Sequence, residues 1–326
     1  MPVVPLAFGF EKRHIFFDGA AHPDVRESLA YLIPLPEHGL GVIFYTWVHA
    51  LGRDGQSRAG SAFIVYGPGV AEPVFEVSDD IFVPDSASFD DWTVGSAHLS
   101  MTDDMMSSAL TFAGARVSLE CTWEGLNPSF GFAANRGGCP QWLAWDRTEQ
   151  GGRYKGRLVI DGKVIELDNL GHRDHSWGMR DWGGATHWKW WNILGPDSTA
   201  IHVMEVQAFG RTTVHGYVQK DGLMGTVMSF DADITYDDRM MHTNIELTIL
   251  DDEGRTTEVS TRKGADLSWP VSPHLLLHEA SMFATVDGRE GVAYMELAWP
   301  PAYIAHHQKV GMGYTGDQSA LVLQRD

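Results

Sequence analysis

Side chains that can carry out acid–base chemistry are concentrated in one segment near the middle of the chain, residues 171–191. This segment holds three histidines, two aspartates, two arginines and five tryptophans. Carboxyl and imidazole groups can transfer protons, while indole faces bind apolar or cationic species. The combination therefore indicates a site that moves protons on an apolar substrate.

Asp174 is the first candidate for a catalytic acid. Neighbouring tryptophan rings would desolvate its carboxyl group and let it keep a proton near neutral pH. His172 and His175 are candidate partners that would reprotonate it or position a water molecule. An extended backbone would place alternate residues on one side, with His172, Asp174 and Ser176 together.

Two carboxylates elsewhere are candidates for a second acid–base group. Glu296 lies between apolar neighbours in a predicted strand, and Glu205 lies on the strand that follows the central segment. Alternation along a strand directs either one towards a pocket only if its neighbours face away, which the pattern leaves open. Within the segment itself, Arg180 and Asp181 are predicted to form an ion pair that orients the backbone.

A metal site is an alternative interpretation of the same segment. His172, Asp174 and His175 offer two imidazoles and one carboxylate, a common ligand set for transition metals. On a strand, however, His175 points away from the other two. The prediction is therefore a site without a metal or other cofactor, and a metal-dependent enzyme stays the alternative.

Strands must position these residues, because most of the chain alternates between apolar and polar residues or forms short apolar runs. Asp-Gly pairs at 161–162, 221–222 and 287–288 predict tight hairpin turns. Strands do not alternate with helices, which argues against a dinucleotide-binding fold. The only short helices considered are at 103–111 and 274–277. The segment 172–182 is predicted to be an irregular loop between strands.

Size and charge limit the classes of protein. A chain of 326 residues predicts two domains. The formal net charge of −19 argues against nucleic acid and anionic membranes as partners. Two cysteines and the lack of a basic, apolar leader favour a cytoplasmic location, and no apolar run is long enough for membrane insertion. The sequence leaves a homo-oligomer open.

The central segment resembles the signature of the AttH and carotenoid 1,2-hydratase group, which includes hydroxyneurosporene synthase. The matching positions are Asp174, Trp177, Gly178, Trp188 and Trp190. The resemblance is local, over about residues 156–206. It implies an all-β fold of two tandem lipocalin-like antiparallel β-barrels, for which we predict domains at 1–183 and 184–326.

The same resemblance implies a cofactor-independent hydratase or lyase, with isomerases and cyclases as related outcomes. The substrate would be an apolar, isoprenoid-like alkene bound between the two barrels. The predicted catalytic residues are His172, Asp174, His175, Asp181 and Glu296. The predicted substrate-binding residues are Trp177, Arg180, Trp182, Trp188, Trp190 and Glu205. A lipocalin-like carrier that binds an apolar ligand without chemistry is the competing interpretation.

Overall fold

The computed structural model describes residues 13–15, 22, 24–50, 56–102, 104–135, 137–181 and 183–310, and nearly all of its regular structure is antiparallel β-sheet. The first sheet contains β1 (Val25–Leu35), β2 (Leu40–His49), β3 (Arg58–Tyr66), β4 (Val74–Phe82), β5 (Asp91–Val94), β6 (Ala97–Met101), β7 (Ser107–Ala113), β8 (Val117–Gly125), β9 (Phe130–Gly131), β10 (Asp146–Ile160) and β11 (Lys163–Met179). Its strand order is β4-β3-β2-β1-β11-β10-β8-β7-β6-β5, with β9 paired to β10.

The second sheet is a closed barrel of eight strands in sequential order. Its strands are β12 (Ala185–Leu194), β13 (Ala200–Ala208), β14 (Arg211–Lys220), β15 (Leu223–Tyr236), β16 (His242–Asp251), β17 (Thr256–Ser272), β18 (Leu275–Val286) and β19 (Arg289–Trp299). A helix, α1 (Pro301–Val310), follows it, and two 3₁₀ turns lie at Pro36–His38 and Phe132–Ala134. The predicted all-β fold of two tandem barrels is confirmed, with the first barrel nearly closed.

Each barrel fills its own interior with apolar side chains. Tyr31, Phe44 and Trp123 belong to the core of the first barrel, whereas Trp191 and Met295 belong to the core of the second. A third apolar cluster joins the outward faces of the two sheets; among its members are Ala30, Leu32, Trp188, Trp190 and Met204. Because strand neighbours point to opposite faces, Trp190 contributes to this seam and Trp191 to the barrel interior.

The predicted loop at 172–182 is wrong over most of its length. Strand β11 continues to Met179 and pairs with β1 on one side and β10 on the other. The two neighbouring strands satisfy its backbone groups, so the polar motif lies within a sheet. The short helices considered at 103–111 and 274–277 are also wrong, because β7 and β18 occupy these regions. No helix in the described part of the chain is long and apolar enough to span a membrane.

Candidate active site between the two barrels

A cavity of about 380 Å³ lies between the outward faces of the two barrels. Strands of the first sheet and the segment after β11 form one wall, which we call the arginine wall; its charged residues are Arg26, Arg147, Asp174 and Arg180. Strands β12, β18 and β19 form the opposite side, which we call the acid wall; it includes Trp188, Trp190, Glu279, Tyr294 and Glu296. Val77 lines the cavity and is 58% exposed, so the cavity reaches the surface there.

The hairpin of β10 and β11 sets the positions of the charged groups on the arginine wall. Its turn uses Asp161 and Gly162 with positive φ angles of 49° and 81°, as the Asp-Gly pair predicted. The resulting register places Glu149 directly opposite Asp174 and Arg147 opposite Ser176. Two carboxylates are thereby held side by side, next to one guanidinium.

Strand β11 directs its polar residues to two different places. His172 and Asp174 face the second barrel, where they meet Glu149 and Arg147. Arg173 turns into the first barrel, where it donates to the side chain of Gln150 and lies over the ring of Trp123. The alternation predicted for an extended segment therefore describes this strand.

Asp174 has the contacts of an ionised carboxylate. Its Oδ1 accepts the backbone N–H of Ala30 at 3.1 Å, and its Oδ2 accepts a hydrogen bond from Arg147. Burial raises the pKa of Asp174 above its usual value, and the charge of Arg147 limits this rise. Hydrogen bonds from two N–H donors favour the charged form, so Asp174 is suited to accept a proton.

Glu149 lies behind this wall, and its pKa is lowered, whereas that of Asp174 is raised. It accepts hydrogen bonds from Arg147 and from the indole N–H of Trp190 at 2.9 Å, and it contacts His172 Nε2 at 2.7 Å. Burial opposes its ionisation, but Arg147, His202 and His172 outweigh burial and lower its pKa below the usual range. His172 therefore supports the wall from behind and does not line the cavity.

The acid wall presents a pair of carboxyl groups, of which Glu279 is buried and Glu296 partly buried. Glu279 and Glu296 are direct partners in the register of β18 and β19. Burial and the neighbouring charge of Glu296 raise the pKa of Glu279 well above its usual value, and a hydrogen bond joins the two groups. Burial also raises the pKa of Glu296, although the indole N–H of Trp188 donates to it. Both shifts favour the protonated form, so the pair holds a proton at higher pH than an ordinary carboxyl group does.

The cavity gathers some of the predicted site residues. Asp174, Arg180, Trp188, Trp190 and Glu296 all line it, although more than one hundred residues separate Asp174 from Glu296 in the chain. The indole groups of both tryptophans reach carboxylates, since Trp188 donates to Glu296 and Trp190 to Glu149.

Other predicted site residues lie elsewhere. His175 contacts Glu27 at 2.7 Å, on the inward face of β11, and Trp177 stacks on His14 with ring centroids 4.1 Å apart. Glu205 forms an ion pair with Lys189. None of these residues is part of the cavity lining.

The predicted ion pair between Arg180 and Asp181 is wrong. Arg180 donates to Leu143 O and Ser176 Oγ, and Asp181 accepts the backbone N–H of Gly183 at 3.0 Å. Asp181 therefore shapes the turn after β11 and leaves Arg180 to the cavity. Trp182 lies outside the described residues.

Sequence reasoning missed Arg26, Arg147, Glu149 and Glu279. Glu279 carries the same signal that identified Glu296, a carboxylate within an apolar strand. Arg147 and Glu149 alternate at the start of β10, which places them on one face. Arg26 lies at the start of β1 without a local signal of its own.

Two groups of side chains offer metal ligands in the described part of the chain, and neither is the predicted set of His172, Asp174 and His175. They are Glu149 with His172 and His202, and Glu27 with His14 and His175. In the first group, Glu149 already accepts hydrogen bonds from Arg147 and Trp190. A divalent cation there would lie beside a guanidinium, which disfavours it.

In the second group, Glu27 is equally occupied. Its Oε2 accepts the backbone N–H groups of His14 and Ile15, and its Oε1 contacts both imidazoles. Burial opposes its ionisation, yet these contacts lower the pKa of Glu27. The group thus attaches the segment 13–15 to the first barrel.

The profile of a family described as a domain of unknown function, DUF7064, matches residues 11–301. The chain belongs to this family. No curated protein matches the sequence at a significant level. A putative AttH from Nitrosomonas europaea has a similar structure, with a TM-score of 0.60, 14% identity and coverage of 91% of this chain and 98% of that chain.

Two further solved structures have the same architecture. CghA bound to Sch210972 has a TM-score of 0.59 at 12% identity, with coverage of 85% of this chain and 89% of that chain. Kievitone hydratase from Nectria haematococca has a TM-score of 0.54 at 12% identity, with coverage of 89% and 97%. The AttH-like resemblance of the central segment is thus confirmed at the level of the fold.

Proposed function

We propose that this DUF7064 protein is a cofactor-independent acid–base enzyme of the hydratase or lyase type. Its substrate is an apolar, isoprenoid-like molecule with a carbon–carbon double bond, bound in the cavity between the barrels. One observation carries the proposal: a carboxyl pair that retains a proton and a carboxylate held by N–H donors line the same cavity, with indole rings beside them. Pairs of acids with opposite protonation are typical of acid–base catalysis.

The contacts of each carboxyl group assign its role. Glu296 shares the retained proton with Glu279 and donates it to one alkene carbon, leaving a cation on the adjacent carbon. The π faces of Trp188 and Trp190 stabilise this cation. A water molecule attacks the cation, and Asp174 removes a proton from this water. Solvent returns that proton to the glutamate pair. The net reaction adds one water, whereas loss of a neighbouring proton would give an isomer and ring closure a cyclic product.

This assignment gives the acid role to Glu296 and leaves Asp174 as the base. The reason is that both oxygens of Asp174 accept hydrogen bonds from N–H donors, whereas Glu296 faces a second carboxyl group. The fold likeness to kievitone hydratase adds support, since that protein is named as a hydratase.

The decisive experiment incubates the protein with a lipid-soluble metabolite extract in ¹⁸O-labelled water and compares the products by mass spectrometry. Wild type is run beside Glu296→Gln, Asp174→Asn and the control Glu205→Gln, which changes a carboxylate outside the cavity. We expect a labelled product with wild type and with the control, and a rate lower by about 10²–10⁴-fold in the two cavity variants.

The other outcomes have definite meanings. An unlabelled isomer or cyclic product that only wild type and the control form would make the protein an isomerase or cyclase. Identical products from all four proteins, together with the same co-purified ligand, would contradict the enzyme proposal and favour a carrier. Because Glu→Gln and Asp→Asn preserve shape, ligand binding should survive in both cavity variants.

A further inference from the structure

Two of the three guanidinium groups on the arginine wall form no ion pair with a carboxylate among the residues that the structure describes. Arg147 binds both Glu149 and Asp174. Arg180, in contrast, donates only to neutral groups, Leu143 O at 2.6 Å and Ser176 Oγ, and its Nε is buried without a hydrogen-bond partner.

Arg26 is in the same situation. Its guanidinium lies over the ring of Tyr45 at 5.5 Å, and its Nε is also buried without a hydrogen-bond partner. Among the residues that the structure describes, no ion pair joins Arg26 or Arg180 to a carboxylate. Arg180 is buried and Arg26 is partly buried. Charges withdrawn from water in proteins are normally paired, so these two guanidinium groups favour a bound anion.

The register brings the two groups to one place. Arg26 on β1 is the cross-strand partner of Gly178, and Arg180 follows Gly178 by two residues. Both side chains line the cavity. Burial and their mutual repulsion lower the pKa of Arg26 to about 9, and burial together with Arg147 lowers that of Arg180 to about 10. A negative charge placed between them would relieve this penalty.

We propose that the ligand of this cavity is amphipathic, with a carboxylate or similar oxyanion held by Arg26 and Arg180 and an apolar body against Trp188 and Trp190. The inference rests on the proposed function, because it assigns a substrate class to the same cavity. Guanidinium groups suit this role because their fixed N–H donors match the two oxygens of a carboxylate.

The test measures binding without turnover, by the change in tryptophan fluorescence. The probes are geranic, hexanoic and decanoic acids, each compared with the alcohol of the same carbon skeleton, at pH 8 where the acids are ionised. We expect at least one acid to bind wild type about tenfold more tightly than its alcohol. Arg26→Met should remove this preference and leave the alcohol affinity unchanged, whereas the exposed control Arg157→Met should change neither.

The wild-type comparison needs no variant, so poor folding of Arg26→Met would not prevent the test. No preference for any acid over its alcohol, including no binding at all, would overturn the inference. So would an equal loss of acid and alcohol affinity in a folded Arg26→Met. An acid preference without labelled product in ¹⁸O-water would retain the oxyanion site and refute the hydratase. A labelled product without a carboxylate, formed by a protein that shows no acid preference, would retain the hydratase and refute the oxyanion site.

Discussion

Glu149 is buried and Glu296 is partly buried, and their pKa values are shifted in opposite directions. Arg147 and two imidazoles surround Glu149 and lower its pKa, whereas Glu296 faces Glu279 and its pKa is raised. Burial disfavours the charged form in both cases; Arg147 and the imidazoles outweigh it at Glu149, whereas burial prevails at Glu296. Carboxyl groups on the acid wall and behind the arginine wall therefore have pKa values shifted in opposite directions.

Loss of Arg147, which pairs with two carboxylates, should have the largest effect on stability. Arg147→Met leaves Glu149 and Asp174 buried without their partner. We expect the free energy of unfolding to fall by about 3–5 kcal/mol, the usual result of breaking a buried ion pair from one side. Urea denaturation measures this. The matched control is Arg26→Met, which breaks no ion pair and should be much less destabilising; equal losses would contradict the comparison.

Acid should weaken the packing behind the arginine wall. There, Phe132 lies under the guanidinium of Arg147 and stacks on His215 of β14. Burial and Arg147 lower the pKa of His215 from 6.5 to about 4. Because the unfolded state takes up the proton first, the stability that neutral His215 contributes is present above pH 6.5 and lost as pH falls towards 4. His215→Phe preserves the stacking on Phe132 and should reduce the acid-induced loss of stability by about 2–3 kcal/mol.

The measurement is urea unfolding at pH 7 and pH 4.5 for wild type and His215→Phe. His98→Gln serves as the control, since the His98 side chain is 40% exposed and paired with Asp91. An equal acid-induced loss in wild type and His215→Phe would show that His215 is not held neutral by its surroundings.

Alkaline conditions should weaken the acid wall instead. The pKa of Glu279 is raised, so the folded state keeps a proton that the unfolded state releases near pH 4.5. The stability from this proton is therefore present below pH 4.5 and lost as pH rises through the folded-state pKa. Glu279→Gln removes the need for this proton and should make the protein more stable than wild type at pH 8, but not at pH 5. Thermal unfolding of both proteins at pH 5 and pH 8 tests this; a wild type whose stability does not fall between them contradicts a shared proton.

The smallest effect is expected outside the cavity. Glu205→Gln replaces the ion pair with Lys189 by a contact in which the amide oxygen can still accept from the ammonium, so it should cost less than Arg147→Met and leave ligand binding unchanged. Denaturation and the fluorescence titration measure both quantities. A loss of affinity here as large as that in a cavity variant would extend the site beyond its two walls.

The sequence predicted the fold class well because alternation with period two is a local property of each strand. It also placed His172 and Asp174 on one face. It failed on the loop at 172–182, because glycines and ionisable residues there resemble a solvated segment. In the protein, groups from other strands satisfy these side chains; Arg147 and Glu149 lie more than twenty residues away in the chain.

What the sequence determined by itself is therefore the set of residues that share each strand face, including Trp188 with Trp190. Only the tertiary structure decided which outward faces meet, and so brought Glu296 of the second barrel to the cavity that Asp174 lines from the first. Sheet closure and packing between barrels set this arrangement through contacts distant in the chain. Those contacts also decide which charges lie beside each carboxyl group, and hence whether they outweigh the effect of burial on its pKa.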